Sequence, residues 1–91
     1  VRTIWKYQLT TTDTQTISMP AGARILCAQL QHGTPNLWAE VDPAAPPEPR
    51  TIRIYGTGNP APDKPGQYVG TYQLYDGAFV GHVYDRTEVP S

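Results

Sequence analysis

A lone cysteine, Cys27, leaves this 91-residue chain without an intrachain disulfide framework or a Cys-based metal site. A reducing compartment is the expectation that follows. Charge is scarce too: Asp, Glu, Lys and Arg make up 16% of the residues and sum to −1. A near-neutral chain is a poor duplex binder, because duplex binding neutralises many phosphates. Its cations, Arg2, Lys6, Arg24, Arg50, Arg53, Lys64 and Arg86, are scattered, so any anion is expected in a local pocket. No apolar run is long enough to span a membrane. No charged-then-apolar opening reads as a signal peptide. No window carries convincing amphipathic helical spacing. One Phe stands against six Tyr and two Trp, a surplus of amphipathic rings of the kind binding surfaces prefer.

What the chain does have is period-two alternation, broken by Gly, Pro, Asn and Asp. A chain of this length is expected to form one domain over residues 1–91. The alternation predicts strands near Thr3–Leu9, Thr16–Met19, Arg24–Gln31, Asn36–Asp42 and Arg50–Gly56. Arg24–Gln31 is apolar on both sides at its middle, with Leu26, Ala28 and Leu30 on one face, and is expected centrally in a sheet. Trp5, Tyr7 and Leu9 are expected to pack as core. Pro43–Pro49 reads as a surface loop, Thr57–Gly66 as a long Gly/Pro loop, and Thr87–Ser91 as a frayed tail.

Asp76-Gly77, between Gln67–Tyr75 and Ala78–Arg86, is the clearest local signal. Asp-Gly accepts the positive φ that a type I′ turn requires, so it predicts a hairpin with defined register. Leu74 then faces Phe79, Tyr72 faces Gly81, Gly70 faces Val83, and Tyr68 faces Asp85. The second face pairs Gln73 with Val80, Thr71 with His82, and Val69 with Tyr84. The expected fold is all-β: a compact six- to seven-stranded antiparallel sandwich or partly open barrel with a C-terminal β-hairpin.

No nucleophile, base and orienter constellation is legible, so no catalytic residue, metal or cofactor is assigned and a non-enzymatic role is expected. Cys27, placed in an apolar strand, is a poor nucleophile if buried. Glu40 and Asp42 share a strand face and read as a solvated edge. His32 beside Gly33 reads as a turn residue, and His82 as structural or interfacial. The best ligand candidate is the run Arg53-Ile54-Tyr55-Gly56-Thr57-Gly58-Asn59-Pro60. Arg53 suits a phosphate, Tyr55 suits ring stacking, and Gly56-Thr57-Gly58 lets backbone come close to a ligand. The plain alternative is a bulge or tight turn carrying a surface tyrosine. Trp38 reads as exposed, interfacial or stacked on a ligand. The mixed hairpin face, Val69, Thr71, Val80, His82 and Tyr84, is too apolar for plain solvent and is expected to join copies in a homo-oligomer.

Four segments carry a resemblance: Ile4-Trp5-Lys6-Tyr7, Gly33 through Asp42, Arg53 through Gly58, and Tyr68-Val69-Gly70-Thr71 with Gly77 through Tyr84. In order and spacing they resemble a family of very small bacteriophage and prophage proteins, a domain of unknown function. The resemblance transfers no catalytic residues. It implies an accessory protein acting in the cytoplasm of an infected bacterium. By analogy of size and context with phage proteins that sequester nucleotide immune signals, it implies capture of a small anionic, nucleotide-type ligand. A structural or protein-interaction module binding a host or virion protein is the alternative.

Overall fold

The computed structural model describes residues 1–88 and builds two antiparallel sheets from seven strands. The strands are β1 (Thr3–Gln8), β2 (Thr14–Pro20), β3 (Arg24–Gln31), β4 (Thr34–Val41), β5 (Pro47–Gly56), β6 (Gln67–Leu74) and β7 (Phe79–Asp85). One sheet runs β1-β4-β3 and the other β2-β5-β7-β6; they do not close into a barrel. The all-β expectation holds, and the sandwich is the form it takes.

Alternation explains the core. Leu37, Ala39 and Val41 point inward from β4, Ile52 and Ile54 from β5, and Tyr72 and Val83 from the hairpin. Met19 and Leu9 fill the ends. Burying each large aliphatic contributes about 1.5–3 kcal/mol. Trp5 departs from the expected core: it shares the inward side of β1 but stays 41% exposed at the open rim between β1 and β2.

β3 is an edge strand, not a central one: its ladder partner is β4 alone. A bulge between Ile25 and Cys27 shifts the register, so Ile25 joins Ala28 on the inner side and Leu26 is left 38% exposed. The apolar centre is explained by the other sheet, because β6 lies against β3. A Cβ at Gly70 would stand 2.6 Å from the Ala28 carbonyl oxygen and 2.9 Å from its nitrogen. Gly70 therefore lets two backbones touch where the sheets meet. Gly70→Val should cost about 1–3 kcal/mol in urea unfolding, the usual penalty of overpacking. A variant as stable as the parent would show that the sheets separate there at no cost.

The proline segment also departs from the sequence reading. Pro47 and Pro49 belong to β5, opposite Pro20 and Ser18 of β2. Thr51 N–H turns away from β2 to the Thr87 hydroxyl at 2.9 Å. By period two, the nitrogens of Pro47 and Pro49 face that same side, before β7 pairing begins at Ile52. Proline is tolerated where no ladder bond is asked of it. Thr87 is likewise no frayed residue: its amide and hydroxyl both donate to Asp85 Oδ1, at 3.0 and 2.5 Å. The rest of the expected tail, residues 89–91, lies outside the described residues.

Asp76 (φ 55°) and Gly77 (φ 89°) form the expected turn, closed by Ala78 N–H donating to the Tyr75 carbonyl at 3.0 Å. Tyr75 also takes positive φ, 53°, so the strands end at Leu74 and Phe79. Hairpin register follows the expectation from Leu74↔Phe79 to Gly70↔Val83. A bulge at Val69 then resets it: Tyr68, not Val69, stands opposite Tyr84, and Gln67, not Tyr68, opposite Asp85. The tighter hairpin joins β3 to β4, where His32 (φ 52°) and Gly33 (φ 76°) alone separate the Gln31–Thr34 pair.

Candidate functional site

The outer face of β5-β7-β6 brings most of the sequence-derived residues together. Ladder pairing sets Arg53 beside Tyr84 and Tyr68, and Tyr55 beside His82 and Thr71. The Tyr55 and Tyr84 rings meet edge-on at 5.6 Å, and Tyr84 meets Tyr68 the same way at 5.5 Å. Such pairs align the positive ring edge with the negative face of a neighbour. The Arg53 guanidinium lies over the Tyr55 ring, 5.0 Å from its centre, a cation–π arrangement.

Two features make this face chemically unusual. Arg53 Nε is buried and has no hydrogen-bond partner among the described residues, a cost normally removed by a partner of some kind. Arg86 approaches the same tyrosine from its hydroxyl end, donating to Tyr55 Oη at 2.9 Å. Among the described residues, ion pairs join Arg2 and Arg24 to Glu40, and Arg50 to Asp85; neither Arg53 nor Arg86 has a carboxylate partner. Two guanidiniums thus share Tyr55 with no ion-pair partner among the described residues. Sequence reading missed Arg86 as a site residue. Its signal was the hairpin alternation, which sets 86 on the face of His82 and Tyr84.

Beside Arg53 opens a cavity of about 360 Å³ lined by Asp13, Arg53, Tyr55, Gly56, Asn59 and Pro60. Asp13 sets a negative charge at that wall and disfavours an anion there. The Gly56-Thr57-Gly58 segment serves its own turn. Asn59 N–H donates to the Gly56 carbonyl at 3.1 Å, and Thr57 N–H donates to the Val80 carbonyl at 3.1 Å. The Asn59 side-chain Nδ2 sits 2.8 Å from where a Gly56 Cβ would stand. The expected cradle of free amides is therefore reduced, because the amides of 57 and 59 are already committed. Tyr55 is only 6% exposed, with Arg53 above it and Tyr84 against it, so it has no free face for stacking. Tyr68, 52% exposed, presents the available ring.

His82 is held between hydroxyls: Thr57 Oγ1 lies 2.7 Å from Nε2 and Thr71 Oγ1 lies 3.0 Å from Nδ1. Tyr68 Oη extends the chain, 2.6 Å from Thr71 Oγ1. Of the expected interface set, Val80, Thr71, His82 and Tyr84 share this face. Val69 leaves it, since the bulge packs that side chain against the core. Trp38 is not part of the site: it lies on the other sheet, between Lys6 and Cys27. No group of three or more His, Cys, Asp or Glu side chains among the described residues is arranged to hold a metal. No helix among them is long and apolar enough to cross a membrane.

A family model for a domain of unknown function, DUF7352, matches residues 1–91. The chain belongs to that family. The resemblance read from the four segments therefore holds at the level of a domain of unknown function. No curated protein and no solved structure matches the chain.

Proposed function

We propose that this DUF7352 member is a non-enzymatic binding domain that takes a small anionic, nucleotide-type ligand on the outer face of β5-β7-β6. The observation that carries the reading is the pair of guanidiniums, Arg53 and Arg86, flanking buried Tyr55 with no carboxylate paired to either among the described residues. A phosphate satisfies both cations through their guanidinium groups. It sits on the guanidinium side, away from the Asp13 wall. The aromatic role moves from Tyr55 to Tyr68, two strands across from Arg53 and so about 10 Å away. The setting we propose is capture of a nucleotide immune signal in the cytoplasm of a phage-infected bacterium. Its support is the resemblance to phage and prophage proteins.

Calorimetry of the purified chain against linear and cyclic nucleotides, with Arg53→Ala and Arg86→Ala beside the parent, tests the site. Binding by the parent that is lost in both variants supports it. No binding by any member, or equal binding by the variants, removes it. A second reading, a protein-interaction module for a host or virion protein, is favoured by the apolar rim. There Trp5, Tyr7, Met19, Pro43, Ala45 and Pro47 line a cleft of about 280 Å³.

A further inference from the structure

The free edges of the two sheets are not equally protected. β3 and β6 each carry a bulge, and they abut through Ala28 and Gly70. On β2, Asp13 accepts from Ile54 N–H, so by period two the outward positions are Thr14, Thr16, Ser18 and Pro20. These are hydroxyl residues ending in a proline that has no donor. β1 has neither bulge nor proline. Its cations are folded back over their own sheet. Lys6 Nζ reaches across to Gln31 Oε1 at 2.7 Å, and Arg2 binds Glu40 and the Gly22 carbonyl. Bulges, prolines and projecting charges are the devices that keep edges from pairing. β1 lacks them, and it exposes Ile4 (56%) on one side and Trp5 (41%) on the other.

We propose that β1 is a homodimer edge, pairing antiparallel with β1 of a second copy, with Trp5 opposite Trp5 across the two-fold axis. The backbone restricts the register. Leu9 N–H donates to the Pro35 carbonyl of β4 at 3.0 Å, so the amides of 3, 5 and 7 also face β4, and those of Ile4, Lys6 and Gln8 face outward. Only registers that set outward residue against outward residue make a ladder. With Trp5 on the axis, Ile4 of each copy exchanges bonds with Lys6 of the other, and Thr3 faces Tyr7. Sliding one step either way sets Lys6 against Lys6 or against Arg2, and like charges directly opposite are unfavourable. The Trp5 pair falls at a non-hydrogen-bonded position, where facing side chains are closest. It covers the ring left exposed at the rim and joins the inner faces of the two copies. The homo-oligomer expected from the sequence thus moves from the hairpin to β1. This edge lies on the opposite sheet from Arg53, so the dimer and the ligand site stand or fall separately.

Sedimentation of the parent and Lys6→Pro from micromolar to millimolar protein tests the edge. Position 6 donates outward, so proline there removes two dimer bonds, one from each copy, and spares the β4 ladder; circular dichroism verifies folding. The expected result is a concentration-dependent dimer in the parent, weakened about tenfold or more in folded Lys6→Pro, the equivalent of two lost ladder bonds. A second measurement fixes the register without relying on proline. In a Cys27→Ser background, Trp5→Cys should form a disulfide-linked dimer on mild oxidation and Tyr7→Cys should not, since only position 5 meets itself within disulfide reach. A strictly monomeric parent at millimolar protein overturns the proposal. So does a dimer that survives in Lys6→Pro, or one cross-linked through position 7.

Discussion

Arg50→Ala should destabilise the folded chain by about 3–5 kcal/mol, the cost of leaving a buried charge without its partner. Arg50 and Asp85 have side chains only 14% and 10% exposed, and their charged atoms lie 2.6 Å apart. Arg50 also donates to the Ala23 carbonyl at 2.7 Å, tying the start of β3 to the opposite sheet. Truncation therefore strands Asp85 and frees a buried carbonyl. Urea unfolding at neutral pH measures the loss. A change below about 1 kcal/mol, typical of a surface pair, would show the site to be wetter than its geometry.

Acid should act on the same pair. Burial pushes the Asp85 carboxyl up, but the Thr87 hydroxyl and amide, together with the Arg50 guanidinium, outweigh it and hold the group below its ordinary value. A carboxyl lowered in the folded state contributes stability above its unfolded value, about pH 3.9. That contribution fades as pH falls through the lower folded value. The parent should lose stability on acidification through this window, whereas Asp85→Asn should start less stable at neutral pH and change less below it. Parallel pH profiles for the two proteins would refute this assignment.

The second large effect is expected in binding. Arg53→Ala should weaken capture of a nucleotide-type ligand by 2–5 kcal/mol, or about thirty- to several-thousand-fold, the range for truncating one partner of a buried charge pair. Stability should change little by comparison, because Arg53 lies on the face opposite Ile52 and Ile54 and makes no ion pair among the described residues. Tyr68→Ala should reduce affinity by about 1–3 kcal/mol if a base stacks there. Tyr55→Phe separates the two cations' roles: it removes the acceptor for Arg86 and keeps the ring beneath Arg53. Calorimetry that finds Arg86 dispensable but Arg53 essential would confine the anion to the Arg53 end.

Much of this architecture follows from local chemistry. Period-two alternation in Leu37–Val41 and Ile52–Ile54 determines which side chains enter the core, since adjacent residues of a strand must point apart. Asp76-Gly77 and His32-Gly33 determine where the chain reverses, because few residues accept positive φ. The face carrying Arg53 and Tyr55 follows from the same rule. Bulges at Leu26 and Val69 do not, since an inserted residue answers to packing across the sandwich and leaves no local mark. The apolar middle of β3, an edge strand, answers to a neighbour more than thirty residues away in sequence, β6, touching it through Gly70. Tertiary structure alone separated Trp38 from Arg53 onto different sheets, brought Arg86 to Tyr55, and buried the ring expected to stack. Alternation assigns a side chain to one of two faces, but only the assembled sheets determine what that face meets.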